Sequence, residues 1–99
     1  MFIILVLISY DISTLTPEGA TRLRKVAKEC QSYAQRVQNS VFEANLDYGT
    51  FIKLKAKLEK IINKEEDSLR FYYLGNNWKN KVEHIGAKKS YNPEGVLIL

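Results

Sequence analysis

The chain alternates between two kinds of hydrophobic pattern. From Phe2 to Tyr10 it is almost continuously apolar, which is typical of a central strand covered on at least one face. The segment after this strand carries apolar residues at three-and-four spacing, which predicts an amphipathic helix. Thr16 is the predicted N-cap of that helix and Pro17 its first residue. The apolar stripe of the helix consists of Leu23, Val26, Ala27, Cys30, Tyr33, Ala34 and Val37.

The same alternation continues through the rest of the chain. The segment "VFEANL" is rich in β-branched and aromatic residues and is predicted as a strand, with "QNS" before it as a tight turn. Asp47 is predicted to cap a second helix. The segment "SLRFYYLG" predicts a strand with Leu69, Phe71 and Tyr73 on one face. Short strands are predicted around Val82–Ile85 and at the final "VLIL". The stripe of the second helix consists of Phe51, Leu54, Leu58, Ile61 and Ile62.

The predicted element order is β-α-β-β-α-β with an extra C-terminal strand. This is the order of the ferredoxin-like α+β sandwich, in which two helices cover one face of an antiparallel sheet. We expect residues 1–99 to form one such domain, with a core of about 1–85 and a C-terminal extension of about 86–99. The terminal "VLIL" would be an exposed apolar edge unless another strand paired with it. A homodimer whose tails pair with the partner's sheet would cover this edge.

Basic residues are concentrated in two regions of the chain. The net charge is +4, and between residues 20 and 38 five basic residues stand against one acid. Residues 76–92 hold four lysines against one acid, whereas residues 53–67 nearly cancel. Such zones suit a polyanionic partner, although lysine-rich helices are also common on other soluble proteins. The acid run at residues 65–67 could bind a cation loosely, but it is expected to be a solvated helix end and loop.

Most catalytic and metal-binding patterns are missing from the sequence. The single histidine, His84, cannot make a typical zinc site, and the scattered glycines form no phosphate-binding loop. Cys30 is the one cysteine, so no intramolecular disulfide is possible; we expect it to be a core residue in a cytoplasmic protein. The apolar N-terminal run is far shorter than the ~20 residues that span a bilayer, and it lacks a basic leader. Neither a membrane partner nor a signal peptide is therefore expected.

Asp11 directly follows the most apolar segment of the chain. In a ferredoxin-like sheet the first strand is central, so this carboxylate would lie in the middle of one end of the sheet. There it is either a turn and cap residue or a metal ligand, and the pattern leaves both open. Magnesium often takes only one or two carboxylates, together with waters and substrate phosphate oxygens. A two-fold axis that brought two copies of Asp11 together would create a site able to hold one magnesium ion against a phosphodiester.

The chain as a whole resembles the CRISPR-associated Cas2 family, through "LISYDIS", "RLRKVAKECQSYAQRVQNSVFEA", "DSLRFYYLGNNWKNKVEHIGAK" and "NPEGVLIL". These are small ferredoxin-like endonucleases of spacer acquisition, and the chain looks closest to members from subtype I-C loci. The resemblance implies a homodimer in which Asp11 of each protomer binds a shared Mg²⁺. It implies catalytic roles for Tyr10, Asp11, Arg36 and Phe42. Together with the basic region, it implies nucleic-acid contacts from Arg22, Arg24, Lys25 and Arg36.

Two functions are compatible with this resemblance. The first is a magnesium-dependent endonuclease of antiviral CRISPR defence, hydrolysing phosphodiester bonds of double-stranded DNA or single-stranded RNA and weak in isolation. The alternative is a non-catalytic DNA-binding adaptor that bridges dimers of the CRISPR integrase in the adaptation complex.

Overall fold

Five strands and two helices make up the part of the chain that the computed structural model describes, residues 3–74 and 81–87. Their order is that predicted from the hydrophobic pattern. In chain order the elements are β1 (Ile3–Asp11), α1 (Pro17–Tyr33), β2 (Gln35–Gln38), β3 (Val41–Asp47), α2 (Tyr48–Ile61), β4 (Ser68–Leu74) and β5 (Lys81–Gly86).

The strands form one sheet in the order β2-β3-β1-β4-β5, and every neighbouring pair is antiparallel. β1 is central, as its apolar composition predicted, and its Ile8 lies opposite Phe42 of β3 and Phe71 of β4. The first four strands have the ferredoxin-like arrangement, and β5 extends the sheet beyond β4. The α+β ferredoxin-like fold with an additional strand is therefore confirmed. The predicted "VLIL" strand and the tail pairing fall on residues 88–99, outside the described residues.

The two helices cover one face of the sheet. Along β1 the side chains of Val6, Ile8 and Tyr10 are buried, whereas Leu5 and Leu7, which point to the opposite face, are partly exposed. The covered face forms the hydrophobic core with both helices. α1 contributes Val26 and Cys30 to this core, and α2 contributes Phe51, Leu54 and Leu58.

Both helices begin at the capping residues that the sequence predicted. The hydroxyl of Thr16 accepts a hydrogen bond of 3.1 Å from the N–H of Gly19, and Pro17 opens α1. The carboxylate of Asp47 accepts hydrogen bonds from the N–H of Thr50, at 3.1 Å, and from its hydroxyl, at 2.6 Å. These bonds lower the pKa of Asp47, because they favour its charged form. Local sequence thus sets where each helix starts.

The end of α1 departs from the predicted stripe. Val37 belongs to β2 and is 48% exposed, so its assignment to the helix stripe was wrong. The reason is that Ala34 is already extended, and the chain then pairs with β3 instead of continuing the helix. Cys30 is fully buried as predicted, and burial raises the pKa of its thiol to about 12. Among the described residues, no helix is long and apolar enough to cross a membrane.

Candidate metal and nucleic-acid site

Asp11 is the last residue of β1 and lies on the face of the sheet that the helices leave open. It is exposed, and in the ladder it lies opposite Ser68, the first residue of β4. The same face carries the partly exposed side chains of Leu5 and Leu7, with Tyr72 of β4 opposite Leu7. Polar side chains lie among them, since Glu43 of β3 is opposite Leu7 and Arg70 of β4 is opposite Ser9. The strand-end carboxylate therefore stands at one end of a sheet surface that is partly apolar and partly polar.

The donor set around Asp11 fits a magnesium site only in part. A carboxylate supplies the hard oxygen ligands that Mg²⁺ prefers. Within residues 3–74 and 81–87, however, no three His, Cys, Asp or Glu side chains are grouped closely enough to hold a metal ion. A magnesium ion on Asp11 would therefore take its further ligands from water, from a substrate phosphate or from a second protomer.

Tyr10, Phe42 and Arg36 form a stacked group at the β2–β3 end of the sheet. The rings of Tyr10 and Phe42 stack with centroids 6.1 Å apart, and the guanidinium carbon of Arg36 lies 5.0 Å from the centre of the Phe42 ring. The Tyr10 hydroxyl and the Arg36 guanidinium both donate to the carbonyl oxygen of Asn39, at 3.4 and 3.3 Å. Burial raises the pKa of Tyr10, so its hydroxyl stays protonated as a donor. The group anchors the turn between β2 and β3.

This stacked group lies on the opposite side of the sheet from Asp11. Tyr10 and Phe42 are buried in the core on the helix-covered face, whereas Asp11, one residue later in β1, points to the open face. Arg36 is the exposed member of the group. The structure therefore does not bring the side chains of Tyr10 and Phe42 together with Asp11, and their geometry is that of a support for Arg36.

Arg22 lies in an internal ion pair. Its side chain is only 16% exposed; Nε donates to Oδ2 of Asp67 at 2.7 Å and Nη2 to Oδ1 at 3.3 Å. Nη2 also lies 3.3 Å from the carboxylate of Glu66. Two of the three guanidinium nitrogens thus contact carboxylates of this chain, a fork geometry that arginine forms well. The predicted nucleic-acid contact of Arg22 stays a prediction, but its charge is offset by these two acids.

Asp67 is fully buried, so the expectation that the whole acid run 65–67 is solvated was wrong for this residue. Besides the two bonds from Arg22, its carboxylate accepts the main-chain N–H of Ser13 at 3.0 Å and that of Asn63 at 2.9 Å. Burial alone would raise the pKa of Asp67, but the hydrogen bonds from Arg22, Asn63 and Ser13 outweigh it and hold the pKa below its ordinary value. The signal in the sequence was its place directly before the buried strand β4.

The outer surface of the helical layer is basic. Arg24 donates from Nη2 to the hydroxyl of Thr21 at 3.3 Å and is exposed, as is Lys25. In the sequence, Glu66 and Asp67 are among the acids that nearly cancel the lysine charges of residues 53–67. In the structure, both carboxylates pair with Arg22 instead. The exposed basic residues of α1, α2 and the turn after α2 are Arg24, Lys25, Lys28, Lys53, Lys57, Lys60 and Lys64.

Comparison with known proteins places these features in a family. The sequence profile of the family described as "CRISPR associated protein Cas2" matches residues 4–82. This match includes Asp11, Arg36 and Phe42, and it runs from β1 through β4 to the first two residues of β5. The fold and the site define a small α+β protein with a carboxylate at the end of its central strand. The chain belongs to the Cas2 family.

Similar proteins match along almost the whole length of the chain. A protein of Nitratidesulfovibrio vulgaris named "CRISPR-associated endoribonuclease Cas2" is 61% identical over 95 residues, covering 96% of this chain and 93% of that protein. A protein of Halalkalibacterium halodurans named "CRISPR-associated endonuclease Cas2" is 58% identical over 94 residues, covering 95% of this chain and 98% of that protein. The crystal structure of Streptococcus pyogenes Cas2 superimposes with a TM-score of 0.67 and 52% identity, covering 76% of this chain and 90% of that one.

Proposed function

We propose that this protein is a CRISPR-associated endonuclease of spacer acquisition that hydrolyses phosphodiester bonds at a magnesium site shared by two protomers. The observation that carries the proposal is the position of Asp11, exposed at the end of the central strand on the open face of the sheet. The names of the relatives from N. vulgaris and H. halodurans, an endoribonuclease and an endonuclease, support the reaction class.

A homodimer would complete the site. The open face carries Leu5 and Leu7 of β1 beside Tyr72 and Leu74 of β4, together with polar side chains such as Arg70. Burying the apolar part of this face would favour association. In a two-fold dimer the same patch occurs on both protomers, so a residue near the axis meets its own copy. We propose that the two-fold axis passes beside the end of β1, where Asp11 would lie near the partner's Asp11. We also propose that residues 1–99 form one domain. Its C-terminal extension, residues 86–99, would pair with a strand of the partner across the dimer.

The residues of the chain divide the work between them. Asp11 of each protomer would hold the ion, and bound Mg²⁺ would stabilise charge on the phosphate and activate a water. On the opposite face of the protomer, Arg36, supported by Phe42 and Tyr10, would contact a phosphate of the bound nucleic acid, as would Arg24 and Lys25 from α1. Such contacts position nucleic acid without reading its sequence, which suits an enzyme that acts on double-stranded DNA or single-stranded RNA. We further propose a cytoplasmic location and an origin in a subtype I-C locus.

A second candidate function is a structural adaptor. The basic outer surface of the helical layer favours it, because this surface can bind a duplex backbone without any chemistry. In this role the dimer would support DNA and bridge dimers of the CRISPR integrase. The two functions are compatible, since the helical layer and Asp11 lie on opposite faces of the protomer.

The test compares wild type with Asp11→Asn on duplex DNA and on single-stranded RNA, with Mg²⁺ and with chelator. We expect wild type to cleave at least one substrate in Mg²⁺, and the variant to be at least about 100-fold slower because it loses a metal-binding charge. Light scattering first confirms that both proteins are dimeric. Glu59→Gln is the matched control, because Glu59 lies on α2, in the helical layer on the opposite face of the protomer from Asp11.

The outcomes separate the two functions. Equal cleavage by wild type and Asp11→Asn would reject Asp11 as the metal ligand. If neither protein cleaves and both bind duplex DNA with the same affinity, the adaptor function replaces the nuclease.

A further inference from the structure

We propose that Arg22 is a positioning residue that acts through Asp67 to fix the backbone around Asp11, and that it does not contact nucleic acid. This role deepens the proposed function and rests on it, because Asp11 must be the metal ligand for its position to affect catalysis. The motif resemblance instead groups Arg22 with Arg24 as a phosphate contact.

Asp67 contacts or adjoins two main-chain segments next to Asp11, the loop that follows β1 and the start of β4. Its carboxylate accepts the N–H of Ser13, two residues after Asp11, at 3.0 Å. The next residue along the chain, Ser68, lies opposite Asp11 in the β1–β4 ladder. A shift of Asp67 would therefore move both the loop that leaves β1 and the strand that flanks the end of β1.

Arg22 is the group that keeps Asp67 charged in this buried position. A fully buried carboxylate needs an opposite charge or several hydrogen bonds to remain ionised, and Arg22 supplies two of its four bonds. The N–H groups of Ser13 and Asn63 supply the others. Without Arg22 the carboxylate would either take up a proton or turn toward water, and in both cases its bond to Ser13 would weaken.

Two glycines make the surroundings of Asp67 and Ser13 too tight for compensating shifts. A Cβ on Gly19 would overlap the carbonyl oxygen of Ser13. A Cβ on Gly86 would overlap the carbonyl oxygen of Asp67, and the φ of Gly86 is +118°. The same oxygen accepts the N–H of Ala87 at 2.9 Å. The main chain of Ser13 thus packs directly against Gly19, and that of Asp67 against Gly86. Because these contacts leave little room for rearrangement, we expect a displacement of Asp67 caused by a change at Arg22 to move the loop after β1.

Arg22→Gln and Arg24→Gln form a matched pair, since both remove one positive charge from α1, two residues apart. The first measurement is duplex DNA affinity against salt concentration. A phosphate contact contributes about −0.9 to the slope of log affinity against log salt. We expect Arg22→Gln to keep the wild-type slope and Arg24→Gln to lose about 0.9 of it.

The second measurement is hydrogen exchange of the Ser13 amide, which reports the bond to Asp67 without any need for metal or cleavage. We expect faster exchange at Ser13 in Arg22→Gln and wild-type exchange in Arg24→Gln.

The third measurement is steady-state cleavage below the melting temperature of every variant. There kcat of Arg22→Gln should fall about 10- to 100-fold with KM unchanged, because the metal ligand is misplaced while binding is intact. If Arg22→Gln is not folded, Arg22→Lys replaces it in the exchange and cleavage measurements, because lysine keeps the charge but cannot form the two-pronged contact with Asp67.

The results decide between three roles. A loss of salt slope in Arg22→Gln equal to that in Arg24→Gln would make Arg22 a phosphate contact and overturn the proposal. Faster Ser13 exchange with unchanged kcat would make the ion pair merely structural, which also overturns it. If wild type does not cleave at all, the nuclease function fails and with it the catalytic role, while the slope and the exchange still decide whether Arg22 holds the loop or binds nucleic acid.

Discussion

Replacing Asp67 by asparagine tests how much the buried carboxylate contributes to the stability of the fold. Each carboxylate oxygen serves one main-chain N–H and one guanidinium N–H: Oδ1 serves Ser13 and Arg22, and Oδ2 serves Asn63 and Arg22. Asparagine has the same shape but only one oxygen. Its amide nitrogen must face one of these two sets of donors, whichever way the side chain is turned.

The magnitude follows from this count. Two buried donors lose their acceptor, at about 1–3 kcal/mol each. Removing one partner of a buried ion pair independently costs about 3–5 kcal/mol. We therefore expect Asp67→Asn to lower the free energy of unfolding by about 3–5 kcal/mol. At about 4–8 °C per kcal/mol for a domain of this size, the melting temperature should fall by roughly 12 °C or more.

The assay is urea and thermal unfolding at neutral pH, with Glu66→Gln as the control. Glu66 precedes Asp67 and contacts the same arginine, but its side chain is 49% exposed. An exposed ion pair contributes about 0–1 kcal/mol, so this variant should stay close to wild type. All proteins are compared at one concentration, because dimer formation makes stability depend on concentration. If the two variants lie within about 1 kcal/mol of each other, burial of Asp67 does not strengthen the pair and the reasoning is refuted.

Two further predictions concern acid stability and the backbone. The pKa values of Asp67, Asp47 and Glu83 are lowered from their ordinary values of 3.8 and 4.5, so the unfolded chain binds more protons in acid. The stabilisation that these carboxylates contribute should be complete above about pH 5 and should decline below it. In urea titrations the free energy of unfolding should fall less steeply with acid in Asp67→Asn than in wild type. An equal fall in both proteins would contradict this. Gly86→Ala should lower the free energy of unfolding by more than about 1 kcal/mol, because its φ is positive and a Cβ there would overlap main chain. At Gly49 a Cβ meets only ordinary contacts, so Gly49→Ala should be neutral or slightly stabilising in thermal melts. Equal effects of the two substitutions would contradict this reasoning.

Features encoded within a few residues of each other could be predicted from the sequence. The caps Thr16 and Asp47 each bond to an N–H three residues ahead, so their role can be read locally. The two faces of β4 follow from strict alternation, and Phe71 indeed lies opposite the buried Ile8. Asp11 could be singled out because it ends the most apolar strand, and its place on the open face follows from the same alternation.

Features that depend on distant parts of the chain could not be predicted. Arg22 and Asp67 are separated by 45 residues, and Ser13 and Asp67 by 54, so no pattern within a segment reveals their contact. In the sequence Asp67 is one of three successive acids, and only the turn between α2 and β4 directs it inward. The burial of Phe42 and Tyr10 likewise depends on the pairing of β1 with β3, while their catalytic roles stay predictions.

The central position of β1 has a consequence for how the chain folds during synthesis. β1 is made before both of its neighbours in the sheet, β3 and β4, which end at Asp47 and Leu74. At ribosomal speeds of about 5–20 residues per second, β4 is complete roughly 3–13 seconds after β1. During that interval β1 can pair with β3 once Asp47 has been made, but its other edge has no partner until β4 is complete. The β1–β4 ladder can thus form only after Leu74 has been made, and until then the nascent chain exposes one unpaired edge of its most apolar strand, which favours aggregation.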